Sequence, residues 1–140
     1  MNGTVFQADG RTPAPNVILY VHHTNAEGRY ANGTGESEWS RRHGRLRGWL
    51  RTRVNGTYSI TTIKPAPYPG RNNPAHIHMF VLDPRKPDPY WIDDVVFDGE
   101  FGVYEQYRTA RLNQGGPGIV KLTSRPDGML HARRDIRLLA

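Results

Sequence analysis

Two histidines one residue apart are the first residues of this sequence whose types and spacing could do chemistry. His76 and His78 end the stretch YPGRNNPAHIH, whose Pro, Gly and Asn residues exclude a helix. In a strand, residues i and i+2 point to the same face, so the two imidazoles would project side by side while Ile77 points to the core. The pair could chelate a metal, although a surface pair of histidines is about twice as common for an isolated motif of this kind.

The residues around the histidine pair limit which metal it would suit. Three histidines and a carboxylate would favour zinc or ferrous iron. The positions three and four residues after His78 are Val81 and Leu82, so the glutamate of a cupin-like site is absent. Asp83 and His131 could contribute, but neither spacing is diagnostic. Other donors have to be considered.

Two tyrosines offer such donors. Tyr68 follows a proline-rich turn just before the histidines, and Tyr30 follows a strand break at residues 25–28. A phenol, with a pKa of about 10, binds as phenolate at neutral pH only to a strong Lewis acid. Phenolate oxygens with imidazole nitrogens therefore favour ferric iron over zinc. A single tyrosine near a loop is more often a packed aromatic, so the combination carries the prediction.

Short alternating or β-branched segments must position these donors. They predict eight strands, at Gly3–Gln7, Asn16–His23, Gly48–Thr52, Tyr58–Ile63, Ala75–Leu82, Trp91–Val96, Ile119–Leu122 and Leu130–Arg137. Asn55-Gly56 is the strongest hairpin signal, and only Tyr104–Asn113 has a helical pattern. The sequence predicts an all-β protein: an antiparallel β-sandwich of about eight short strands with one short helix.

Length and composition predict a single domain over residues 1–140, with enough chain for one core. No apolar run approaches the roughly 18 residues of a membrane span, and the first ten residues lack a secretory pattern. We therefore predict a cytoplasmic protein without a membrane partner, and leave secretion open in case a leader precedes this sequence. The absence of cysteine excludes disulfides and thiolate metal sites.

The net charge of +6 comes mostly from arginine and suits an anionic small substrate. The densest basic cluster, Arg41–Arg53, contains Trp49 and resembles a surface for single-stranded nucleic acid. Its basic residues alternate as on the solvent face of a strand, so we predict no nucleic-acid partner. The long irregular stretch Ala31–Gly44 is polar, and its length predicts a lid or rim.

In order along the chain, these motifs resemble the intradiol ring-cleavage dioxygenase family, the non-haem ferric enzymes that include protocatechuate 3,4-dioxygenase and catechol 1,2-dioxygenase. The similarity runs through GTVFQADGRTPAPNVILYV, the Gly-Arg-Tyr that ends at Tyr30, RGWLRTRVNGTYSITTIKPAPYP, PAHIH and DDVVFDGE, within about the first 100 residues. Ordered motifs of this kind are much more specific than two histidines alone.

The resemblance implies a β-sandwich core and a defined iron site. Two tyrosines and two histidines bind Fe(III) in that family, which here implies Tyr30, Tyr68, His76 and His78. The implied reaction inserts both atoms of the co-substrate O2 between the two hydroxylated carbons of a catechol, giving a dicarboxylic acid of the cis,cis-muconate type. The resemblance also implies that the substrate displaces Tyr68, which then acts as its base.

One position departs from the family pattern. Relatives carry an arginine directly before the proline of PAHIH, where it stabilises developing negative charge, and this chain has Asn73 there. Arg71, in the same loop, is the first candidate to replace it, and Arg47 is the second. The departure keeps an alternative open: a transthyretin-like sandwich that binds ferric iron and catechol with little or no turnover. The helical region used for dimerisation in catechol dioxygenases is absent, so homo-oligomer formation stays open.

Overall fold

The computed structural model describes residues 1–140 and contains ten short strands and two short helices. The strands are β1 (Asn2–Phe6), β2 (Ile18–His23), β3 (Arg47–Arg51), β4 (Thr57–Ser59), β5 (His76–Leu82), β6 (Tyr90–Phe97), β7 (Ile119–Val120), β8 (Thr123–Ser124), β9 (Leu130–His131) and β10 (Ile136–Arg137). The helices are α1 (Glu38–His43) and α2 (Glu105–Thr109). Neither helix has the length and apolar character needed to cross a membrane.

The strands form two main sheets and a small hairpin. A five-stranded sheet has the order β3-β2-β5-β6-β7, a three-stranded sheet has the order β10-β1-β4, and β8 pairs with β9. Most pairings are antiparallel, but β1 with β10 and β6 with β7 are parallel. The mostly β architecture confirms the predicted all-β sandwich, with these two parallel pairings added.

The hydrophobic core contains side chains from both sheets. Val5 of β1 and Ile136 of β10 belong to the same buried cluster as Leu19 of β2 and Met79 of β5. All four are at most 1% exposed. Burial of this apolar area is the main favourable term for the fold.

The opposite face of the five-stranded sheet carries polar and aromatic side chains. Residues directly opposite each other in antiparallel strands project to the same face. His22 of β2 lies opposite His78 of β5 on one side and opposite Arg47 of β3 on the other. Ile77 points away from this row into the core, as the alternation predicted.

Several predicted strands are shorter or divided; the strands predicted over Ile119–Leu122 and Asn16–His23, for example, cover only Ile119–Val120 and Ile18–His23. The segment predicted as one strand over 130–137 forms β9 and β10, because its first part pairs with β8 and its last part pairs with β1. The segment predicted over 58–63 continues as a strand only to Ser59, opposite Asn2 of β1, and Ile60 adds a last reciprocal pair of hydrogen bonds with Met1. Pairing partners are tertiary information that a local pattern does not contain.

The helices also differ from the prediction. Helix α2 covers Glu105–Thr109 only, within the predicted 104–113. Helix α1 lies inside the stretch predicted to be irregular, and the Ser37 hydroxyl caps it by accepting the Ser40 amide at 3.1 Å. It is a single short helix whose sequence signal, one capping serine, is weak by itself.

The inward position of Ile77 gives a direct test of the register. We expect Ile77→Ala to lower the free energy of unfolding by about 2–5 kcal/mol, because it leaves a cavity at a residue that is 5% exposed. Val54→Ala is the control, since Val54 is 94% exposed and the change should stay within about 0.5 kcal/mol. Urea unfolding measures both; equal losses would mean that β5 presents its other face to the core.

Candidate metal centre

Four donor side chains from three parts of the chain converge on one point. The hydroxyl oxygens of Tyr30 and Tyr68 lie 2.6 Å apart. Nε2 of His76 lies 3.1 Å from the Tyr68 oxygen and 3.1 Å from Nε2 of His78. Nε2 of His78 lies 3.1 Å from the Tyr30 oxygen and 3.3 Å from that of Tyr68. The structure thus brings together the four side chains that the family resemblance implied.

The histidines and the tyrosines are positioned differently. His76 and His78 project from β5, which is hydrogen-bonded on both sides by β2 and β6. Tyr30 and Tyr68 lie on loops outside the strands. The imidazoles are therefore carried by a rigid strand, whereas the positions of the phenols depend on the packing of two loops against each other.

Hydrogen bonds and one close approach hold the two loops together. The Thr24 hydroxyl donates to the Ala66 carbonyl at 2.8 Å, and the Ala66 amide donates to the Asn25 carbonyl at 3.1 Å. Gly28 has a φ of +74° and lies so close to the other loop that a Cβ would meet the Pro67 carbonyl oxygen at 1.9 Å. Only glycine satisfies both requirements, since its φ is positive and the space is absent.

The outer nitrogens of both histidines are already engaged. Nδ1 of His76 lies 2.8 Å from the Pro74 carbonyl oxygen, and Nδ1 of His78 lies 3.0 Å from Oδ1 of Asp94. A carbonyl and a carboxylate only accept, so each Nδ1 carries the hydrogen and each Nε2 carries a lone pair. The lone pairs of the two Nε2 atoms therefore point into the same small space.

Burial favours the neutral forms of Tyr30 and His76. Burial is the main cause that raises the pKa of Tyr30 far above its usual value, and the hydrogen bond with Tyr68 adds to it. Burial also lowers the pKa of His76. The Tyr30 phenol would therefore lose its proton only to a strong Lewis acid, and its binding would release that proton.

The geometry and chemistry of this donor set fit a ferric ion. Ligand atoms that each lie about 2 Å from one ion are about 3 Å apart, which is the spacing seen here. Two imidazoles and two oxygens that become anionic offer a hard, negatively charged set that suits a trivalent cation. Asp94 has an oxygen near both histidines. Its Oδ1, however, lies at Nδ1 of His78, on the far side of the ring from the cluster.

The two arginines proposed to replace the missing one lie in different surroundings. Arg47 forms an ion pair with Glu36 at 3.0 Å, and it also donates to the Gly44 carbonyl. Arg71 is exposed in the loop, where its backbone amide donates to the Tyr68 carbonyl at 3.2 Å. The guanidinium of Arg47 is thus already bound by Glu36 and Gly44, whereas Arg71 is linked through its backbone to Tyr68. Both assignments stay predictions.

A second group of aromatic side chains lies beside the cluster. The rings of His22 and His78 have centroids 4.5 Å apart, and His22 stacks on His43 of α1 at 4.1 Å. His43 Nδ1 lies 2.6 Å from the Tyr20 hydroxyl. Burial is the main cause that lowers the pKa of His22 to about 3, with His78 and His43 adding to it, so this ring is neutral at pH 7. The segment 31–44 therefore packs over the sheet next to the donor atoms.

Asp94 and Trp91, whose indole Nε1 donates to Oδ1 of Asp94 at 3.0 Å, are the site residues whose roles the sequence did not indicate. Asp94 lies in the DDVVFDGE motif, but its contact with His78 depends on an irregular register between β5 and β6, near Ile77 and Met79. Such a bulge shifts which side chains are opposite each other. Two adjacent aspartates gave no signal about which of them faces the histidines.

Comparison with known proteins defines the class to which this fold and site belong. The family model Dioxygenase_C, described as dioxygenase, matches residues 1–103. Catechol 1,2-dioxygenase of Acinetobacter baylyi is 34% identical over 69% of this chain and 39% of its own length. Catechol 1,2-dioxygenase 2 of Acinetobacter lwoffii is 30% identical over 89% of this chain and 53% of its own length.

The solved structures agree with this fold. The dioxygenase domain of a dioxygenase carbohydrate-binding protein fusion from Streptomyces sp. SirexAA-E superposes with a TM-score of 0.70 at 23% identity, covering 98% of this chain and 76% of that one. The chain belongs to the intradiol ring-cleavage dioxygenase family, whose members use non-haem iron. It spans only about half the length of the curated relatives it matches.

The Gly28 contact predicts how sensitive the two phenol-bearing loops are. We expect Gly28→Ala to destabilise the protein by several kcal/mol, because the new Cβ would overlap the Pro67 carbonyl oxygen. Gly70→Ala is a matched control: Gly70 has a φ of +69° and open space around its Cβ position. It should lose only the conformational term of about 1–2 kcal/mol. Chemical denaturation compares the two variants, and equal losses would show that the loops do not approach at Gly28.

Proposed function

We propose that residues 1–140 form one catalytic domain that holds non-haem Fe(III) through Tyr30, Tyr68, His76 and His78. The domain would cleave catechol-type aromatics between the two hydroxylated carbons. The observation that carries the proposal is the convergence of two phenol oxygens and two imidazole nitrogens within 3.3 Å of their neighbours. The product would be a dicarboxylic acid of the cis,cis-muconate type containing both atoms of O2.

The structural element that carries each residue indicates its role. His76 and His78 are fixed by β5 and by acceptors at their Nδ1 atoms, so they hold their positions through the reaction. Tyr68 lies on a proline-rich loop and its side chain is half-buried, which suits a ligand that leaves when substrate arrives. Once released, its phenolate accepts a proton from a substrate hydroxyl. Ferric iron, when bound, supplies the Lewis acid that activates the catecholate toward O2.

Tyr30 would stay in place. Its neighbour Gly44 also has a positive φ, and a Cβ there would lie 3.1 Å from the Tyr30 Cα. Arg45 donates its amide to the Ala31 carbonyl at 2.9 Å, so the backbone after Tyr30 is tied to the segment that leads into β3. These contacts favour Tyr30 as the permanent phenolate and Tyr68 as the exchanging one.

One observation favours a second candidate function. Asn73 occupies the position of the family arginine, and Arg47 is engaged by Glu36. If Arg71 does not supply a guanidinium at the metal either, the domain would bind ferric iron and catechol with little or no turnover. Oxygen consumption separates the two functions: a binder would change colour on adding catechol without consuming O2.

The role of Tyr68 gives a testable difference between two tyrosines. We expect Tyr68→Phe to lower kcat for catechol by at least about 100-fold, because the variant lacks the phenolate that accepts the substrate proton. Tyr90→Phe is the control, since the Tyr90 hydroxyl accepts the Leu139 amide at 3.3 Å instead. An oxygen electrode gives the rates. Full activity in Tyr68→Phe would refute this role for the phenol.

Removal of the metal tests which ion the site needs. The iron-loaded protein should show a visible phenolate-to-iron charge-transfer band, and chelation should abolish both the band and O2 uptake. Fe(III) should restore both after chelation, whereas Zn(II) should restore neither, because zinc has no redox chemistry and no such transition. Turnover by the zinc-loaded protein, measured with iron excluded, would contradict the proposal.

A further inference from the structure

Asp94 accepts two hydrogen bonds through a single oxygen beside the candidate metal centre. Its Oδ1 lies 3.0 Å from Nδ1 of His78 and 3.0 Å from the indole Nε1 of Trp91. The carboxyl side chain is 18% exposed. Both contacts come from N–H groups, and the oxygens of an ionised carboxylate only accept, so the two hydrogen bonds suit the anionic form of Asp94.

The backbone that carries Asp94 is held on both sides. The Arg111 guanidinium donates to the Asp94 carbonyl at 3.2 Å, and it also contacts Oδ2 of Asp93 at 3.1 Å. Gly118 of the neighbouring segment lies so close that a Cβ would meet the Asp94 carbonyl oxygen at 2.3 Å. The carboxylate is therefore aimed at His78 by a fixed backbone, and its direction does not depend on a flexible loop.

The two histidines of the cluster consequently differ in their outer partners. His76 donates to the neutral carbonyl of Pro74 at 2.8 Å, whereas His78 donates to an anion. An anionic acceptor at Nδ1 increases the electron density at Nε2 and so makes the imidazole a stronger donor. A stronger donor stabilises a trivalent ion more than a divalent one, because the extra charge on the metal increases the interaction.

We propose that Asp94 is a positioning residue that makes His78 the stronger imidazole donor and thereby favours the ferric over the ferrous state of the site. The inference rests on the proposed function only for the identity of the metal. Trp91 moderates the effect, since its indole N–H shares the same carboxylate oxygen. Asp94 acts through His78 and does not itself contact the ion.

Three substitutions test this assignment. Asp94→Asn retains an acceptor oxygen but removes the charge, so the Fe(III)/Fe(II) potential should rise, the charge-transfer band should shift, and Fe(III) affinity should fall by about 10–100-fold. Trp91→Phe removes the competing donor, so its potential should shift in the opposite direction. Asp98→Asn is the charge control: Asp98 pairs with Arg108 and contacts none of the four donor side chains, so its potential should match that of the wild type.

Shifts of the Fe(III)/Fe(II) potential in opposite directions in Asp94→Asn and Trp91→Phe would support the proposal. A general loss of packing would not give shifts of opposite sign in the two variants. The proposal is overturned if Asp94→Asn matches Asp98→Asn in potential and affinity. It is equally overturned if Asp94→Asn binds no iron at all, because that result would indicate that Asp94 is itself a ligand of the metal.

Failure of the proposed function has a separate signature. A wild-type protein that binds iron and shows these shifts but consumes no O2 would refute turnover and leave the role of Asp94 intact. Nitrogen-15 NMR of the metal-free protein adds a readout that needs no iron. It should show His78 protonated at Nδ1 in the wild type and a mixture of tautomers in Asp94→Ala. The same Nδ1 tautomer in both proteins would count against Asp94 as the positioning group.

Discussion

Two imidazole nitrogens with lone pairs directed at each other, 3.1 Å apart, are the interaction on which the rest of this site depends. Two phenol hydroxyls close the cluster, and their two protons are the only ones available to four mutually close donor atoms. Two hydrogens can bridge at most two of the five short contacts in the cluster, and the contact between the two Nε2 atoms can carry none. A cation that replaces the two protons removes the repulsion. The arrangement of the four donor atoms therefore favours a bound cation at this point.

The sandwich holds the imidazoles on a rigid strand and the phenols on less rigid loops. Strand β5 lies inside the five-stranded sheet and holds the imidazoles, with their outer nitrogens bonded to Pro74 and Asp94. The phenols come from loops that approach each other at Gly28. Under the proposed function, the histidines would be permanent nitrogen ligands and Tyr68 an exchangeable oxygen ligand, which suits a centre that must hold its metal while substrate enters. The same division explains why Tyr68 and not a histidine is assigned the proton transfer.

Much of the fold and of the donor set could be predicted from the sequence because both depend on local signals. The alternation around Ile77 predicts that His76 and His78 share a face, and the ordered motifs indicate the two tyrosines. The role of Asp94 could not be predicted, since its contact with His78 requires the irregular register between β5 and β6. The position of His22 beside His78 likewise depends on the pairing of β2 with β5. Local patterns predict strands and faces, whereas contacts between strands require the register.

In the proposed function, Tyr30 and Tyr68 both coordinate ferric iron as phenolates in the resting protein. Resonance Raman spectroscopy, with excitation in the visible charge-transfer band, tests it most directly, since it enhances only vibrations of iron-bound tyrosinates. We expect tyrosinate modes that decrease in each single Phe variant of the two tyrosines and disappear in the double variant. A wild-type spectrum without tyrosinate modes, or one unchanged in both single variants, would contradict it.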